Sequence, residues 1–267
     1  MPGMSEPAIR LTSFAVIFTA LALYEIWSPR LERDEFRGAM KSKRWLTNIS
    51  ILLISSLALR VIFPLAAVGA AIWAAGKGYG VLPWLGLPAW LAGPCAFILL
   101  DFAVWLEHVA SHKVPLFWRI HRMHHADTGF DVTTALRFHP LEIVLSMFWK
   151  ALIIISLGAP PLAVLVFEIV LNGSSMFNHA NISLPQGIDR LLRKIIVTPD
   201  MHRVHHSTER RETDSNYGFN FAFWDRIFRT YNAQPAAGHN DMEIGLPLSR
   251  HGQPANLFWS LKLPFTK

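Results

Sequence analysis

Residues 96–125 read AFILLDFAVWLEHVASHKVPLFWRIHRMHH. The stretch opens as an apolar helix and closes on histidines, as His108-x3-His112 followed by His121-x2-His124-His125. Residues three and four apart share one face of a helix, so each group can reach a single centre, and imidazoles so spaced make metal sites. A third group, His202-x2-His205-His206, repeats the HxxHH pattern about eighty residues later. At 100° per residue, Asp101 lies seven positions before His108 and within about 20° of its direction. A carboxylate at that depth needs a partner, so Asp101 is a candidate to accept the outer N–H of an imidazole, the alternative being a bond to a neighbouring helix.

Composition places these histidines beside a membrane. Of 267 residues, 52% are hydrophobic and 16% charged, whereas a soluble domain is roughly 25% charged. Ten Trp and eighteen Phe against four Tyr suit lipid-facing and interfacial surface. The net charge of +6 comes with no helix-turn-helix, RNP or zinc-finger spacing. Anionic headgroups explain it better than nucleic acid. The single cysteine, Cys95, lies in an apolar run, so disulfides and thiolate metal sites are excluded.

The apolar run Leu11 to Trp27 has no small-residue cleavage site after it and reads as a retained anchor. Arg30, Arg33, Arg37, Lys41, Lys43 and Arg44 follow against three acids, a positive-inside signal that sets this stretch in the cytoplasm. Trp45 to Ala75 exceeds the length of one span and is broken by Arg60 and Pro64. Its first half is expected at the interface or tilted, with the second half crossing. Gly76 to Gly80 reads as a turn, and Leu82 to Glu107 as the next crossing. Leu141 to Asn178, cut by Gly158-Ala159-Pro160-Pro161, reads as a helical hairpin. Lys150 and Glu168 stand at similar distances from that turn and should pair, the alternative being that Lys150 snorkels from a shallow helix.

Counting crossings from the basic stretch brings all three histidine groups out on one side. The expected fold is therefore an all-α integral membrane bundle of about four to five membrane segments, including the Pro-Pro hairpin, under a cytosolic histidine-rich dimetal cap. Residues 1–95 would be the N-terminal membrane segments, 96–235 the catalytic part, and 236–267 a tail packed on the cap. His179, at the end of the hairpin, stands level with the other groups and joins the candidate ligands. His139 is better explained by stacking or capping. His239 and His251 fall in polar tail and should face solvent. One transition metal takes at most about six ligands, so eight or nine histidines imply two metals. The Glu-x-x-His signature of carboxylate-bridged bundles is absent. A histidine-only site suits iron, and zinc can occupy it in a purified sample.

These groups resemble those of the membrane fatty acid hydroxylase and sterol desaturase superfamily. Flanking words fit as well: Arg137-Phe138-His139-Pro140-x-Glu142, Thr198-Pro199-Asp200-Met201-His202-Arg203, Asn216-Tyr217-Gly218 and Trp224-Asp225-Arg226. The resemblance spans about residues 98 to 232. It implies an iron-dependent, O2-consuming oxidoreductase of lipid metabolism, hydroxylating a C–H bond of a fatty acyl, sterol or related substrate. A desaturase on the same site is the alternative. The implied ligands are His108, His112, His121, His124, His125, His202, His205 and His206, with His179 matching an extra ligand of some branches. Where certain relatives carry a further histidine this chain has Ser175, and Val109 replaces the Arg that many sterol-modifying members carry after the first box histidine.

Electrons must come from a separate reductase or carrier, because the chain shows no Walker A motif, Rossmann fingerprint, cysteine cluster or haem domain. Arg190, Arg193, Lys194, Arg203, Arg210 and Arg211 could dock such a carrier or meet headgroups. The non-enzyme alternative is a membrane metal-binding or transport protein. Transport predicts ligands near the bilayer midplane, whereas these histidines gather at helix ends.

Overall fold

The computed structural model describes residues 4–32, 38–247 and 252–266. Arg33, Arg37 and His251 lie outside them. Five helical segments are long and apolar enough to cross a bilayer, and among the described residues no strand forms beyond isolated bridges. The chain is all-α and multi-pass. The first crossing is α1 (Glu6–Trp27), the second combines α2 (Gly38–Ile62) and α3 (Ala66–Lys77), and a short α4 (Val81–Trp84) follows. The third crossing is α5 (Ala89–Lys113), which α6 (Pro115–His125) follows at once. The hairpin is α7 (Pro140–Leu157) and α8 (Pro161–His179). Short helices build the cap: α9 (Gln186–Leu192), α10 (Pro199–His205), α11 (Arg210–Thr213) and α12 (Phe223–Ile227).

Proline and glycine set the boundaries that matter. Pro115, Pro140, Pro161 and Pro199 each take a first helical position, where their missing N–H costs nothing and the preceding residue is held extended. Val114, extended before Pro115, turns α5 into α6, so the first and second histidine groups fold back on each other. Gly158 ends α7 in the left-handed region at φ 63°. A Cβ on it would meet the Tyr79 carbonyl oxygen at 2.3 Å, so glycine there admits both the turn and the close passage of the chain after α3.

The segment from Trp45 to Ala75 gives a single crossing in two pieces. Pro64 ends α2, and α3 resumes after it. Ser55 donates to the Phe138 carbonyl just before α7, while Gly80 touches Gly158 just after it. Together α2 and α3 therefore run the length of α7. The first part of α2 is not simply interfacial: Arg44, Thr47 and Asn48 are buried against the cap. The hairpin arms have 18 and 19 residues, and Lys150 Nζ meets Glu168 Oε1 at 3.1 Å as expected. Arg10 of α1 also donates to Glu168. The last turn of α1, the end of α5, the start of α7 and the end of α8 all lie at one end, where Arg30 N bonds the Asn181 carbonyl two residues past His179. Ala67, Ala71, Ala96, Leu100, Val164 and Phe167 form the core at the opposite half.

Candidate metal centre

Nine histidines converge at that end, and they are the nine named from the sequence. They fall into two groups, His108, His112, His121, His125 and His205, and His124, His179, His202 and His206. Within each, one nitrogen per residue lies within 4.8 Å of the others, and every residue is buried. The second and third boxes are each split between the groups, because neighbouring residues on a helix point about 100° apart.

Three of the five outer nitrogens of the first group are held, while Nδ1 of His112 and of His125 makes no hydrogen bond. His108 Nδ1 lies 2.7 Å from the Tyr217 carbonyl and His205 Nδ1 2.6 Å from that of Ser215. His121 Nδ1 lies 2.5 Å from Glu142 Oε1, and Asp214 Oδ1 stands 3.5 Å from His112 Nδ1. In the second group His179 Nδ1 meets the Ser175 carbonyl at 2.7 Å, while Nδ1 of His124, His202 and His206 has no partner. Aromatic rings hold these instead: Phe138 stacks on His124 at 4.3 Å, and Phe130 packs on His179, His202 and His206.

A carbonyl only accepts, so Nδ1 of His108, His179 and His205 carries the proton and Nε2 presents its lone pair inward. Yet His205 Nε2 faces His108 Nε2 at 3.1 Å, and Nε2–Nε2 contacts of 3.1 to 3.2 Å recur through both groups. Two lone pairs at that distance repel unless a cation lies between them. Nitrogens about 2.1 Å from one ion stand roughly 3.0 to 3.4 Å apart, so the residues fit a bound metal. Protonation is no substitute: burial pushes His205 down to about 3. Burial, and then a neighbouring imidazole, hold His124, His125, His202 and His206 well below the usual histidine range. Neutral imidazole is the form that ligates.

The cap explains words that the sequence showed only as spelling. Asn216 takes φ 52°, a left-handed conformation that asparagine tolerates, and its amide donates to the Met201 and Asn232 carbonyls. This bend aims the carbonyls on either side of it at His205 and His108. Asp225 accepts from the N–H groups of Tyr217 and Gly218, each at 2.9 Å, and from Trp105 Nε1 at 3.1 Å. A Cβ on Gly218 would stand 2.7 Å from the Phe221 carbonyl oxygen, so the loop closes only with glycine.

Asp101 takes the second of its two expected roles. Its Oδ2 accepts from Trp224 Nε1 at 2.8 Å, so it ties α5 to α12 and orients no imidazole directly. The carboxylate nearest that role is Glu142, placed by its position two residues into α7, one turn from the metal end. His139 caps α7, its Nδ1 accepting from Leu141 N. His239 is half-buried, not solvent-facing.

Several basic residues read as surface charge are internal. Arg44 donates from Nε and Nη2 to Asp127 at 2.8 and 2.9 Å and from Nη1 to Asp131 at 3.0 Å. Burial alone would raise the Asp127 pKa, and the Arg44 guanidinium overrides it and holds the carboxyl low. Arg137 spans the Met123 carbonyl, Asn48 and Ser260. This network clamps the chain after His125 between α2 and the tail. Arg193 and Arg203 are buried too, leaving Arg190, Lys194, Arg210 and Arg211 exposed among the expected docking residues.

Beside the first group lies a cavity of about 220 Å³. His108 and His121 border it, Phe14, Leu52, Leu136 and Leu171 supply apolar wall, and Glu142, Ser146 and Lys150 form a polar stripe. None of the second group's histidines is among the described lining residues.

The model of the family "Fatty acid hydroxylase" matches residues 93–230. The chain is 28% identical over 147 residues to the ornithine lipid hydroxylase OlsE of Rhizobium tropici, covering 55% of this chain and 44% of that protein. It is 30% identical over 188 residues to human alkylglycerol monooxygenase, covering 69% and 38%. With cholesterol 25-hydroxylase of Rattus norvegicus it shares 26% over 140 residues, covering 52% and 46%. The matches thus span less than half the length of these three relatives. No solved structure matches significantly.

Proposed function

The chain belongs to the fatty acid hydroxylase family, and from that premise we propose that it is a membrane-bound, O2-dependent diiron enzyme that hydroxylates a C–H bond of a lipid. The observation that carries the reading is the pair of buried imidazole groups with facing Nε2 lone pairs. Five and four nitrogens leave open positions on six-coordinate ions. The relatives that are lipid hydroxylases and monooxygenases support the reaction class.

Iron bound there supplies the reduction of O2 and the removal of hydrogen from an unactivated carbon. The protein contributes position and exclusion. Glu142 and the Tyr217 and Ser215 carbonyls orient imidazoles and raise their basicity. The cavity bordering His108 and His121 receives the lipid, and its apolar wall keeps bulk water from the reacting carbon. Placement of that carbon selects hydroxylation over desaturation. Residues 96–235 carry the ligands, while Phe14 and Leu52 of the preceding segments shape the lipid end.

The metal end faces the cytoplasm in this reading, supported by exposed Lys43, Lys113, Arg119, Arg190, Lys194 and Arg211 there. Electrons come from a separate carrier. The test compares lipids with and without the gene under isotopically labelled O2. Gain of label in one lipid class is the expected result; turnover under argon would overturn the reading.

A further inference from the structure

The cavity beside the first histidine group is more polar than a hydrocarbon chain requires. Glu142, Ser146 and Lys150 recur at every fourth residue of α7, so they line one face of the helix. At 1.5 Å per residue, Ser146 lies about 6 Å and Lys150 about 12 Å along α7 from the glutamate that holds His121. Glu107, next to His108, borders the same space, and Ser146 Oγ donates to Glu107 Oε2 at 3.2 Å. Across the cavity stand Asn172 and Ser175 of α8, and the buried Ser175 Oγ has no hydrogen-bond partner.

The charges narrow what can bind. Lys150 is the one ammonium or guanidinium among the described lining residues, and its Nζ is committed to Glu168, which Arg10 also engages. Arg10 and Lys150 stand against Glu107 and Glu168, so a carboxylate or phosphate entering the cavity would meet no net positive charge. An alkane would leave Glu107, Ser146 and Ser175 facing hydrocarbon. A hydroxyl, or an amide through its N–H and C=O, satisfies both conditions, donating to Glu107 and accepting from the Ser175 hydroxyl.

We propose that Glu107 and Ser146, facing Ser175, form a recognition site for the uncharged hydrogen-bonding group of a lipid. The substrate class is thus a neutral hydroxyl- or amide-bearing amphiphile, not a free fatty acid. The assignment rests on the reading of this cavity as the lipid site, and the experiment separates the two.

Tritiated hexadecanol is bound to the full, iron-loaded chain in detergent micelles and displaced by unlabelled hexadecanol, hexadecanoate or hexadecane. The alcohol should displace about tenfold more effectively than the other two, the size of one hydrogen bond to a charged group. Ser146→Ala and Glu107→Leu should each reduce that preference to about threefold or less, with iron content as in wild type. Ser56→Trp, a bulky change at an exposed lining position, should weaken the binding of all three. If Ser56→Trp changes nothing, the lipid does not occupy this cavity and both readings fall. If it blocks binding but hexadecanoate or hexadecane competes as well as the alcohol, or Ser146→Ala retains the full preference, the recognition site alone is overturned.

Discussion

The two histidine groups are built from the same residue type at the same depth, yet they are supported differently. Around the five-histidine group, three Nδ1 atoms meet a carbonyl or carboxylate oxygen within 2.7 Å. Around the four-histidine group one does, and Phe138 and Phe130 pack on the rest. A hydrogen bond fixes both the tautomer and the ring plane and raises ligand basicity, whereas a stacked ring fixes the plane alone. The group supported by hydrogen bonds is also the one that borders the cavity. The difference points to a division of labour, with orientation held most tightly where the substrate approaches.

The largest effects should come from the ligands. His112→Ala should lower iron from about two to about one per chain by emptying the first group, and His202→Ala should do the same at the second. Both should abolish activity while the protein still inserts. Iron content unchanged in both variants would break the two-group assignment.

Acid probes both groups together. In the folded protein His124, His125, His202, His205 and His206 hold pKa values below the usual one, so below about pH 6.5 the unfolded chain takes up protons first. Stability is therefore full above that pH and is lost as pH falls, by about 1.4 kcal/mol per pH unit for each histidine titrating only in the unfolded state. Thermal unfolding of the metal-free protein at stepped pH checks this, and a flat profile would contradict burial of the neutral rings.

Glu142→Ala tests the hydrogen-bonded support directly. Metal affinity at the first group should fall about 10- to 100-fold, with the second group unaffected. Phe138→Leu tests the packed support: it should cost about 1 to 2 kcal/mol of stability and shift metal affinity about threefold or less. Equal affinity losses in the two variants would erase the distinction. The smallest effect on the metal belongs to Trp224→Phe, which removes one donor from the buried Asp101 and should cost about 1 to 3 kcal/mol of stability without altering metal affinity. A marked affinity loss there would restore Asp101 to an imidazole-orienting role.

Long-range pairing separates what could be read in advance from what could not. Lys150 and Glu168 were legible because a tight turn forces its arms into register, and the candidate histidines were legible because helical spacing brings the residues of each box to one end of a helix. Arg44 looked like a topogenic surface charge, since nothing local shows that it reaches Asp127, 83 residues away. The two roles of Asp101 could not be separated for a related reason: helix phase gives direction, but Trp224, 123 residues on, supplies the nearer donor.

From its sequence alone the chain was bound to be a bundle of apolar helices with imidazoles at one end, because periodicity, hydropathy and proline placement act over a few turns. Which histidines group together was decided only by tertiary structure. The second and third boxes are each cut in two by the 100° step between adjacent residues, and the halves are completed by helices distant in sequence. The cavity with its polar stripe also exists only once α5, α7 and α8 pack, since it is the space that their facing side chains leave between them.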